Sequence, residues 1–345
     1  MLELAARIAA DAGDADDAHM ADAAGAPDAT LTHAGDEPLD APHPTGGAPL
    51  ALGVAWPAPP PRQPNRHRPH VRQEGRSTMG RVEGKVIVVT GAAQGMGRAI
   101  GHTLVKEGGK VVFADMSEAG AKEAAKAAAD TFDGEALGVA VDVRSREQTA
   151  AAIAAAVQRW GRLDVMFNNA GVNKPQHFLD TTKENWDFIM DVNGWGVMVG
   201  MQEAAKQMIE QGREGELAGK IVNTGSIVGK AGLDPNVVPY SISKFGVAAL
   251  TQMGAREFAK HDITVNSFAP GVVDTPLWET LDEQLMELGV SDKKGQAMKD
   301  FSAGILRGRP ATPADIVGVT TYLASPESDY MTGQTLMIDG GMVLT

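Results

Sequence analysis

The sequence predicts an α/β protein whose core is a doubly wound parallel sheet of seven strands. Seven short runs rich in β-branched residues follow residue 79, and helix-like stretches separate most of them. The runs are almost continuously apolar, which is typical of strands covered on both faces. Such alternation favours parallel strands joined by right-handed connections. No internal repeat or second core is evident, so residues 79–345 are predicted to form a single domain.

The first four predicted strands are separated by three helices. The strands are KVIVVT, KVVFAD, LGVAVDV and LDVMFNNAG, which begin at residues 85, 110, 137 and 163. The helices are GRAIGHTLVKEG, an alanine-rich stretch that ends near residue 131, and residues 145–160.

The second half of the chain continues the alternation. A helix is predicted around residues 182–212, followed by the strand GKIVNTGS, a helix that contains Tyr240, and the strands ITVNSFAPG and QTLMIDGG. Thr181 and Glu184 fit a capping box at the start of the first of these helices. Thr312 and Pro313 predict a further helix start, with a capping residue followed by proline in the first turn.

Residues 1–78 differ from the rest in composition. They contain 11 of the 19 prolines and no lysine, and they show neither a helix nor a strand period. Such a segment cannot bury enough apolar surface to offset the entropy lost on ordering, so disorder is predicted. GC-rich codons would encode this composition, and Glu74-Gly75 would need a purine-rich codon pair shortly before Met79. We hypothesise that Met79 is the natural start; the alternative is a regulatory tail, which a peptide from this segment in the native protein would demonstrate.

Composition excludes several classes of function. The net charge of −13 argues against a nucleic-acid partner, and no apolar run approaches the roughly 18 residues of a membrane span. The chain has no cysteine, which excludes disulfides and thiolate metal sites, and its histidines show no metal-ligand spacing. The acidic N-terminus does not resemble a secretory signal. These features predict a cytoplasmic protein without a bound metal.

A glycine-rich turn follows the first predicted strand. In TGAAQGMGRAI, Gly91, Gly95 and Gly97 have the spacing G-x-x-x-G-x-G, and the turn leads directly into a helix. Glycines at this point of a βαβ unit let the backbone approach a pyrophosphate that lies on the helix N-terminus. A simple structural turn is the alternative, since a glycine-rich loop alone is weak evidence.

Asp115 ends the second predicted strand, 18 residues after Gly97. A carboxylate at this position can accept hydrogen bonds from the adenosine ribose hydroxyls of a dinucleotide, and it would repel a 2′-phosphate. No basic residue occurs at positions 92–94 or directly after Asp115 to bind that phosphate. NAD is therefore favoured over NADP. Helix capping is the alternative role, but Ser117 is already available as the cap.

Seven short motifs occur in order along residues 79–345. They are TGAAQGMG, VDV, NNAG, DVN, IVNTGS, YSISK and APGVVDTP. Together they resemble the short-chain dehydrogenase/reductase family, which implies a Rossmann-type fold and a nicotinamide-dependent oxidoreductase. The C-terminal third is most similar to acetoin reductases (2,3-butanediol dehydrogenases) and polyol dehydrogenases.

Tyr240 and Lys244 lie four residues apart in a predicted helix, so their side chains leave the same face one turn apart. The spacing alone fits an ordinary surface contact. The resemblance implies instead that Tyr240 is the acid/base and that Lys244 favours the phenolate and holds the nicotinamide ribose. It further implies that Ser226 binds the substrate oxygen and that Asn193 completes the catalytic set.

The resemblance also implies a set of cofactor contacts. Asp142 and Val143 would bind the adenine, Asn169 would line the nicotinamide-ribose side, and Thr275 would reach the carboxamide. The full set is Gly91, Gln94, Gly95, Met96, Gly97, Asp115, Asp142, Val143, Asn169, Ala170, Gly171, Tyr240, Lys244, Pro270, Gly271, Val273 and Thr275.

The segment of residues 275–309 has helical character, and in the family this stretch folds over the substrate. Trp278, Leu281 and Leu285 either face the pocket or pack on the domain. Ile227 follows Ser226 where the acetoin-reductase relatives carry a polar residue, which weakens the case for a vicinal diol. Lys230, Asp234 or Asn236 could supply the missing polar contact.

The resulting prediction is an NAD-dependent enzyme that interconverts a secondary alcohol and a ketone of the hydroxyketone, diol or polyol type. One alternative is a cyclic or hydrophobic alcohol as substrate, and another is a non-catalytic, NAD-sensing member of the same fold. By resemblance, a homotetramer or homodimer is expected, with the helices around residues 190–212 and 240–260 as pairing faces.

Overall fold

The computed structural model describes residues 80–212 and 217–344. Our predictions of disorder in residues 1–78 and of a start at Met79 lie outside the described residues. The described part contains a seven-stranded sheet in the order β3-β2-β1-β4-β5-β6-β7, and every recorded strand pair is parallel. The predicted doubly wound α/β fold is therefore confirmed.

The strands are β1 (Val86–Thr90), β2 (Lys110–Asp115), β3 (Ala136–Ala140), β4 (Val165–Asn168), β5 (Gly219–Thr224), β6 (Ile263–Pro270) and β7 (Thr335–Ile338). The α-helices are α1 (Gly95–Lys106), α2 (Glu118–Phe132), α3 (Arg146–Trp160), α4 (Lys183–Met190), α5 (Gly196–Gln211), α6 (Val238–Phe258), α7 (Pro276–Glu287), α8 (Gln296–Ser302) and α9 (Pro313–Ala324).

Helices cover both faces of the sheet. One face packs against α3, α5 and α6, whose buried side chains include Met201 and Val247. The other face packs against α1, α2 and α9, whose buried side chains include Ile100 and Ile316. Strands β1, β4, β5 and β6 are buried along their whole length, which explains why they are apolar at successive positions rather than at alternate ones.

Two of three predicted helix caps are confirmed. Ser117 accepts a hydrogen bond from the Gly120 amide at the start of α2, and Thr312 forms a capping box with Asp315 at the start of α9. The cap predicted at Thr181 is wrong. A short 3₁₀ turn ends just before Thr181, whose hydroxyl donates to the His177 carbonyl, so the helix starts one residue later and Thr182 caps α4.

The helix predicted around residues 182–212 is continuous but not uniform. A π-helical segment, Asp191–Trp195, separates α4 from α5. Wide turns of this kind are rare and occur frequently at functional sites. Asn193 lies in the middle of this segment, so the backbone irregularity coincides with a predicted site residue.

The chain reverses its direction across the sheet between β1 and β4, since β2 and β3 lie on one side of β1 and β4 to β7 on the other. In doubly wound sheets ligands bind at the carboxyl ends of the strands beside this reversal. Among residues 80–212 and 217–344, no helix is both long and apolar enough to cross a bilayer.

Candidate active site

A cleft of about 620 Å³ opens at the carboxyl ends of β1, β2 and β4. Twelve of the predicted cofactor residues line it: Gly91, Gln94, Gly95, Met96, Gly97, Asp115, Asp142, Val143, Asn169, Ala170, Gly171 and Thr275. The prediction did not include Met116, Val141, Arg144, Val172, Phe188, Val192, Pro276, Leu277, Glu279 and Thr280, which also line it. The sequence motifs thus identified the strand ends but not the side chains contributed by α4 and α7.

The glycine turn brings three pieces of backbone close together. Gly91 has φ +63°, and a Cβ there would lie 2.8 Å from the Ala170 Cα. A Cβ on Gly97 would lie 2.0 Å from the Gly91 carbonyl oxygen. Helix α1 then begins without a side-chain cap at Gln94, so its first amides lie at the cleft without side-chain acceptors. Uncapped helix N-termini of this kind bind phosphate groups.

Two acidic side chains stand at the far end of the same cleft. The Asp115 carboxylate accepts hydrogen bonds from the Ala93 amide at 3.0 Å and from the Ser117 amide at 2.9 Å. Asp142 is bound by Arg144, whose guanidinium donates at 2.6 and 3.0 Å. The hydrogen bond from Arg144 lowers the pKa of the Asp142 carboxyl. Arg144 is a basic residue of the cleft that the sequence analysis did not identify, although it directly follows the VDV motif. Its guanidinium is already paired with Asp142.

These features fit a nicotinamide dinucleotide. The cleft provides uncapped amides of α1 for the pyrophosphate and the Asp115 carboxylate at the end of β2 for a ribose. At Gly91 and Gly97 the backbone segments lie so close together that there is no room for a side chain. Asn169 fixes the turn from the opposite side, because its Nδ2 donates to the Thr90 carbonyl at 2.9 Å and its amide donates to the Thr90 hydroxyl at 3.0 Å.

Tyr240 and Ser226 meet beside this cleft. Tyr240 lies in the first turn of α6, and Ser226 follows β5, where its hydroxyl caps a short 3₁₀ turn. The two side chains share a hydrogen bond. Burial raises the pKa of the Tyr240 phenol, and the hydrogen bond from Ser226 opposes that rise. The arrangement is that of a hydroxyl pair that can bind one carbonyl or carbinol oxygen.

Lys244 lies one helical turn after Tyr240 and is only 4% exposed. Its Nζ donates to the Thr224 carbonyl at 2.8 Å and lies 5.6 Å from the centroid of the Tyr240 ring. Burial lowers the pKa of the Lys244 ammonium to about 8. Without cofactor, burial therefore destabilises both the phenolate of Tyr240 and the ammonium of Lys244. The pKa of Tyr240 is raised, although we expected Lys244 to lower it.

Asn193 is fully buried and bridges the π-helical segment to the loop after β4. Its Oδ1 accepts from the Val172 amide at 2.8 Å, and its Nδ2 donates to the Val172 carbonyl at 2.8 Å and to the Ser243 hydroxyl at 3.2 Å. A Cβ built on Gly171 would be 3.3 Å from the Asn193 Oδ1 and 3.7 Å from the Lys244 Nζ. Asn193 thus lies close to Lys244.

A second, smaller cavity of about 90 Å³ adjoins the Ser226–Tyr240 pair. Of the predicted substrate residues, Ile227, Asp234 and Trp278 line it. The fourth, Asn236, is absent from its lining, since the Asn236 amide donates to the Asp234 carboxylate at 2.9 Å and contacts the His177 ring at 3.1 Å. The polar contact that the sequence reading sought near Ile227 is therefore not offered by Asn236.

Five of the residues predicted to bind the cofactor do not line the cleft: Tyr240, Lys244, Pro270, Gly271 and Val273. Gly271 lines the smaller cavity rather than the cleft. Pro270 and Val273 line neither, because Pro270 is a buried member of β6 and Val273 is buried in the core, bridged to Ala311. Leu281 lines the smaller cavity, whereas Leu285 packs inside a cluster formed by α7 and α8.

The smaller cavity is completed by residues that no motif indicated. They are Asn173, Val228, Leu233, Val237, Leu277, Phe301 and Met342. Val272 of the APGVVDTP motif and Leu281 also line it. Met342 reaches the cavity because Asp339 accepts hydrogen bonds from the Gly341 and Val343 amides, which folds the C-terminal segment back. The Asp-Gly-Gly turn after the last strand was the available signal. Leu277 lines both cavities and marks their junction.

Comparison with known proteins agrees with this geometry. The profile of a family described as enoyl-(acyl carrier protein) reductase matches residues 91–343. L-2,3-butanediol dehydrogenase of Corynebacterium glutamicum is 38% identical over 261 residues, which are 75% of this chain and 98% of that protein. Diacetyl reductase ((S)-acetoin forming) of Staphylococcus epidermidis is 36% identical over 259 residues, 75% of this chain and 98% of that protein.

Solved structures give the same result. Levodione reductase superposes with a TM-score of 0.70 at 32% identity, covering 76% of this chain and 98% of that one. The 3-ketoacyl-(acyl-carrier-protein) reductase from Brucella melitensis complexed with NADH superposes with a TM-score of 0.66 at 32% identity, covering 76% of this chain and 100% of that one. The motifs, the cleft and these matches lead to one conclusion: the chain belongs to the short-chain dehydrogenase/reductase family of oxidoreductases.

Proposed function

We propose that this protein is an NAD-dependent enzyme that interconverts a small secondary alcohol and its ketone, of the hydroxyketone or diol type. The observation that carries the proposal is the hydrogen-bonded Ser226–Tyr240 pair, with Lys244 one turn away, at the border between the dinucleotide cleft and the small cavity. A non-catalytic sensor of NAD would have no use for a half-buried phenol next to a buried ammonium, since burial disfavours the charged form of each group.

The roles of the side chains follow from their positions. Ser226 donates to the substrate oxygen and stabilises the charge that develops on it. Tyr240 exchanges a proton with the same oxygen through its phenolic oxygen. Lys244 uses one of its three donors on the Thr224 carbonyl, and the others would hold the ribose hydroxyls of the cofactor. The bound cofactor supplies or accepts the hydride.

The direction of the reaction depends on pH through Tyr240. Oxidation of the alcohol needs the phenolate, and burial raises the pKa of this phenol. The rate of oxidation should therefore rise into the alkaline range, whereas reduction, which needs the neutral phenol, should have its optimum at lower pH.

NAD is preferred over NADP in our proposal because Asp115 places a negative charge at the end of β2. The guanidinium of Arg144 would be the nearest candidate for a 2′-phosphate, but Asp142 already neutralises it through a bidentate contact. The NADH complex of the Brucella melitensis relative supports the same preference.

The size of the cavity supports a short substrate. Its volume of about 90 Å³ is smaller than the ~150 Å³ of an engineered protein cavity that holds benzene. The names of the two relatives, L-2,3-butanediol dehydrogenase and diacetyl reductase, support a four-carbon substrate.

A hydrophobic or cyclic alcohol is the second candidate, and one observation favours it. The rings of Trp278 and Phe301 lie 5.7 Å apart in an edge-to-face arrangement, and both line the cavity. An apolar ring could pack against them.

A substrate panel distinguishes these candidates. Short diols and hydroxyketones, cyclic alcohols and 3-oxoacyl thioesters would be tested with NAD(H) and with NADP(H), and the absorbance of the reduced cofactor would be followed. Highest catalytic efficiency on a four-carbon hydroxyketone with NADH supports the proposal. Turnover confined to cyclic alcohols, or a preference for NADPH, would contradict it.

We also propose that the protein assembles into a homodimer or homotetramer through α5 and α6. Phe245 and Met253 on α6 are 45% and 61% exposed, and Trp195 at the start of α5 is 48% exposed. A second copy of the chain would bury these apolar side chains. Light scattering of the purified protein tests this, and a monomer at micromolar concentration would contradict it.

A further inference from the structure

We propose that Asn173 is a specificity residue whose side-chain oxygen accepts a hydrogen bond from a hydroxyl group beside the reacting carbon of the substrate. This inference rests on the proposed function and refines it, because it selects hydroxyketones and diols over simple ketones and diketones. Asn173 directly follows the loop of residues 169–172 that borders the dinucleotide cleft.

The Asn173 side chain has no protein partner. Its Oδ1 is inaccessible to solvent and makes no hydrogen bond within the described part of the chain. Eight other residues have a buried polar side-chain atom without a partner: Thr149, Arg162, Asn185, Ser241, Asp282, Gln284, Ser291 and Ser302. None of these eight lines the cleft or the small cavity, whereas Asn173 lines the small cavity together with Ser226 and Tyr240.

The backbone around Asn173 is fixed on both sides. Asn193 binds both the amide and the carbonyl of Val172, each at 2.8 Å. Asn185 donates from its Nδ2 to the Lys174 carbonyl at 2.9 Å. The main chain on both sides of Asn173 is therefore fixed, whereas its side-chain oxygen has no hydrogen bond within the described residues. A buried acceptor without a donor is unfavourable, and a ligand that brings the donor removes that cost.

The other polar side chains of the cavity are those of Ser226, Tyr240 and Asp234. Ser226 and Tyr240 are assigned to the reacting oxygen. Asp234 accepts from the amide and the side chain of Asn236, both on its Oδ1, at 2.8 and 2.9 Å, and its Oδ2 remains a second acceptor. Ile227 offers only methyl groups. Among the described residues Asn173 is the cavity residue with a buried acceptor that lacks a partner, and because its carboxamide oxygen accepts, the substrate group that it binds must be a hydroxyl.

The position also explains how a diol substrate is compatible with Ile227. The relatives that Ile227 departs from carry a polar side chain directly after the serine, on the loop that follows β5. In this protein the polar group is the carboxamide of Asn173, on the loop that follows β4. The second hydroxyl of the substrate would thus be bound from the loop after β4 instead of the loop after β5.

The first test compares substrates that differ only in the second oxygen. Catalytic efficiency with NADH would be measured for 3-hydroxy-2-butanone, 2-butanone and 2,3-butanedione in wild type, Asn173→Leu and Asn173→Asp. Wild type should prefer the hydroxyketone to each of the others by at least tenfold. Asn173→Leu, of similar volume but without an acceptor, should reduce this ratio at least tenfold, and Asn173→Asp, which keeps an acceptor, should restore most of it.

A second test does not depend on turnover. Calorimetry or NADH fluorescence would measure binding of 2,3-butanediol and 2-butanol to the NADH-bound protein, a combination in which no hydride can move. The ratio of the two dissociation constants should be at least tenfold in wild type and Asn173→Asp and close to one in Asn173→Leu. Circular dichroism and NADH affinity would show that each variant is folded.

The outcomes separate the two proposals. Tight binding of the diol that depends on Asn173, without turnover of any four-carbon substrate, would sink the proposed reaction and keep the role of Asn173. Normal turnover with both ratios unchanged within threefold in Asn173→Leu would overturn the role of Asn173 alone. A wild-type ratio near one in the binding experiment would overturn it as well.

Discussion

The dinucleotide cleft and the substrate cavity adjoin each other but differ in the residues that line them. The cleft includes main chain at the ends of β1 and β4, where Gly91 and Gly97 allow backbone segments to approach within contact distance. The cavity is lined by residues from segments far apart in the sequence, including Trp278 and Phe301 of the segment of residues 275–309 and Met342 near the C-terminus. The cleft therefore depends on the absence of side chains at Gly91 and Gly97, whereas the cavity takes its shape from the side chains that line it.

This difference has a physical consequence for specificity. Main-chain amides at a helix N-terminus offer the same donors whatever the neighbouring side chains are, so the cleft can hold one type of ligand with little variation. An apolar cavity takes its shape from the bulk of each side chain, so single substitutions change which substrate fits. Ser226 and Tyr240 line the cavity and Lys244 lies near Gly171 of the cleft, so in our proposal these three residues connect the two regions.

The largest effect is expected at this border. Tyr240→Phe removes the proposed proton donor and should lower kcat by more than three powers of ten, since general acid–base catalysis contributes two to four powers of ten and the Ser226 hydroxyl beside it is a far weaker acid than a phenol. NADH affinity, measured by fluorescence, should stay within a few-fold because the cleft is unchanged. Tyr330→Phe is the control, because Tyr330 is fully exposed. Activity of Tyr240→Phe within tenfold of wild type would refute the role of the phenol.

The next prediction tests the contrast in packing directly. A Cβ on Gly97 would lie 2.0 Å from the Gly91 oxygen, so Gly97→Ala should destabilise the protein by about 1–3 kcal/mol or more and weaken NADH binding at least tenfold. Gly232→Ala, in the loop on the cavity side, meets nothing within 4 Å and should change stability by less than about 0.5 kcal/mol. Urea unfolding and NADH titration of both variants check this. Equal effects of the two substitutions would contradict the proposed difference in packing between the cleft and the loop on the cavity side.

The same contrast explains how far the sequence could be read. The parallel sheet and the cleft could be predicted from short motifs, because several of these motifs lie at the ends of strands and the sheet brings those ends together. Asn193, Tyr240 and Lys244 lie on helical segments, and their roles were predicted from the family resemblance. The cavity could not be read in this way. Asn173 enters it on a loop that is held by Asn193, 20 residues further along the chain, and Met342 enters it through a local turn at Asp339 whose direction no helix or strand period indicates.

Lys244 gives a prediction on pH. Its pKa is about 8 in the folded protein, against 10.5 for an ordinary lysine, so above pH 8 the unfolded chain binds more protons at this site. The free energy of unfolding without cofactor should therefore gain a rising contribution between about pH 8 and pH 10, on the order of 3 kcal/mol at most. Above pH 10 the raised pKa of Tyr240 acts in the opposite direction, because the unfolded phenol ionises first.

Urea unfolding at several pH values measures this contribution. Lys244→Met should flatten the rise between pH 8 and pH 10, and Lys126→Met, at a lysine that is 73% exposed, should leave it unchanged. Lys220 adds a rise of the same sign, since burial lowers its pKa too, so the rise should diminish in Lys244→Met without vanishing. An identical pH dependence in wild type and Lys244→Met would show that the ammonium is not desolvated as described.

The smallest expected effect concerns the choice of cofactor at Asp115. Asp115→Asn removes the negative charge while keeping the shape, and it should improve the efficiency with NADPH relative to NADH by about tenfold, or ~1.4 kcal/mol. The substitution has a side effect, because the two carboxylate oxygens accept from the Ala93 and Ser117 amides and an asparagine can accept from only one of them. Some stability will be lost, but the ratio of the two cofactors measured in one variant cancels that loss. Glu118→Gln makes the same change in charge three residues further on and should leave the ratio unchanged; an equal shift in both variants would mean that net charge, rather than the position of Asp115, governs the preference.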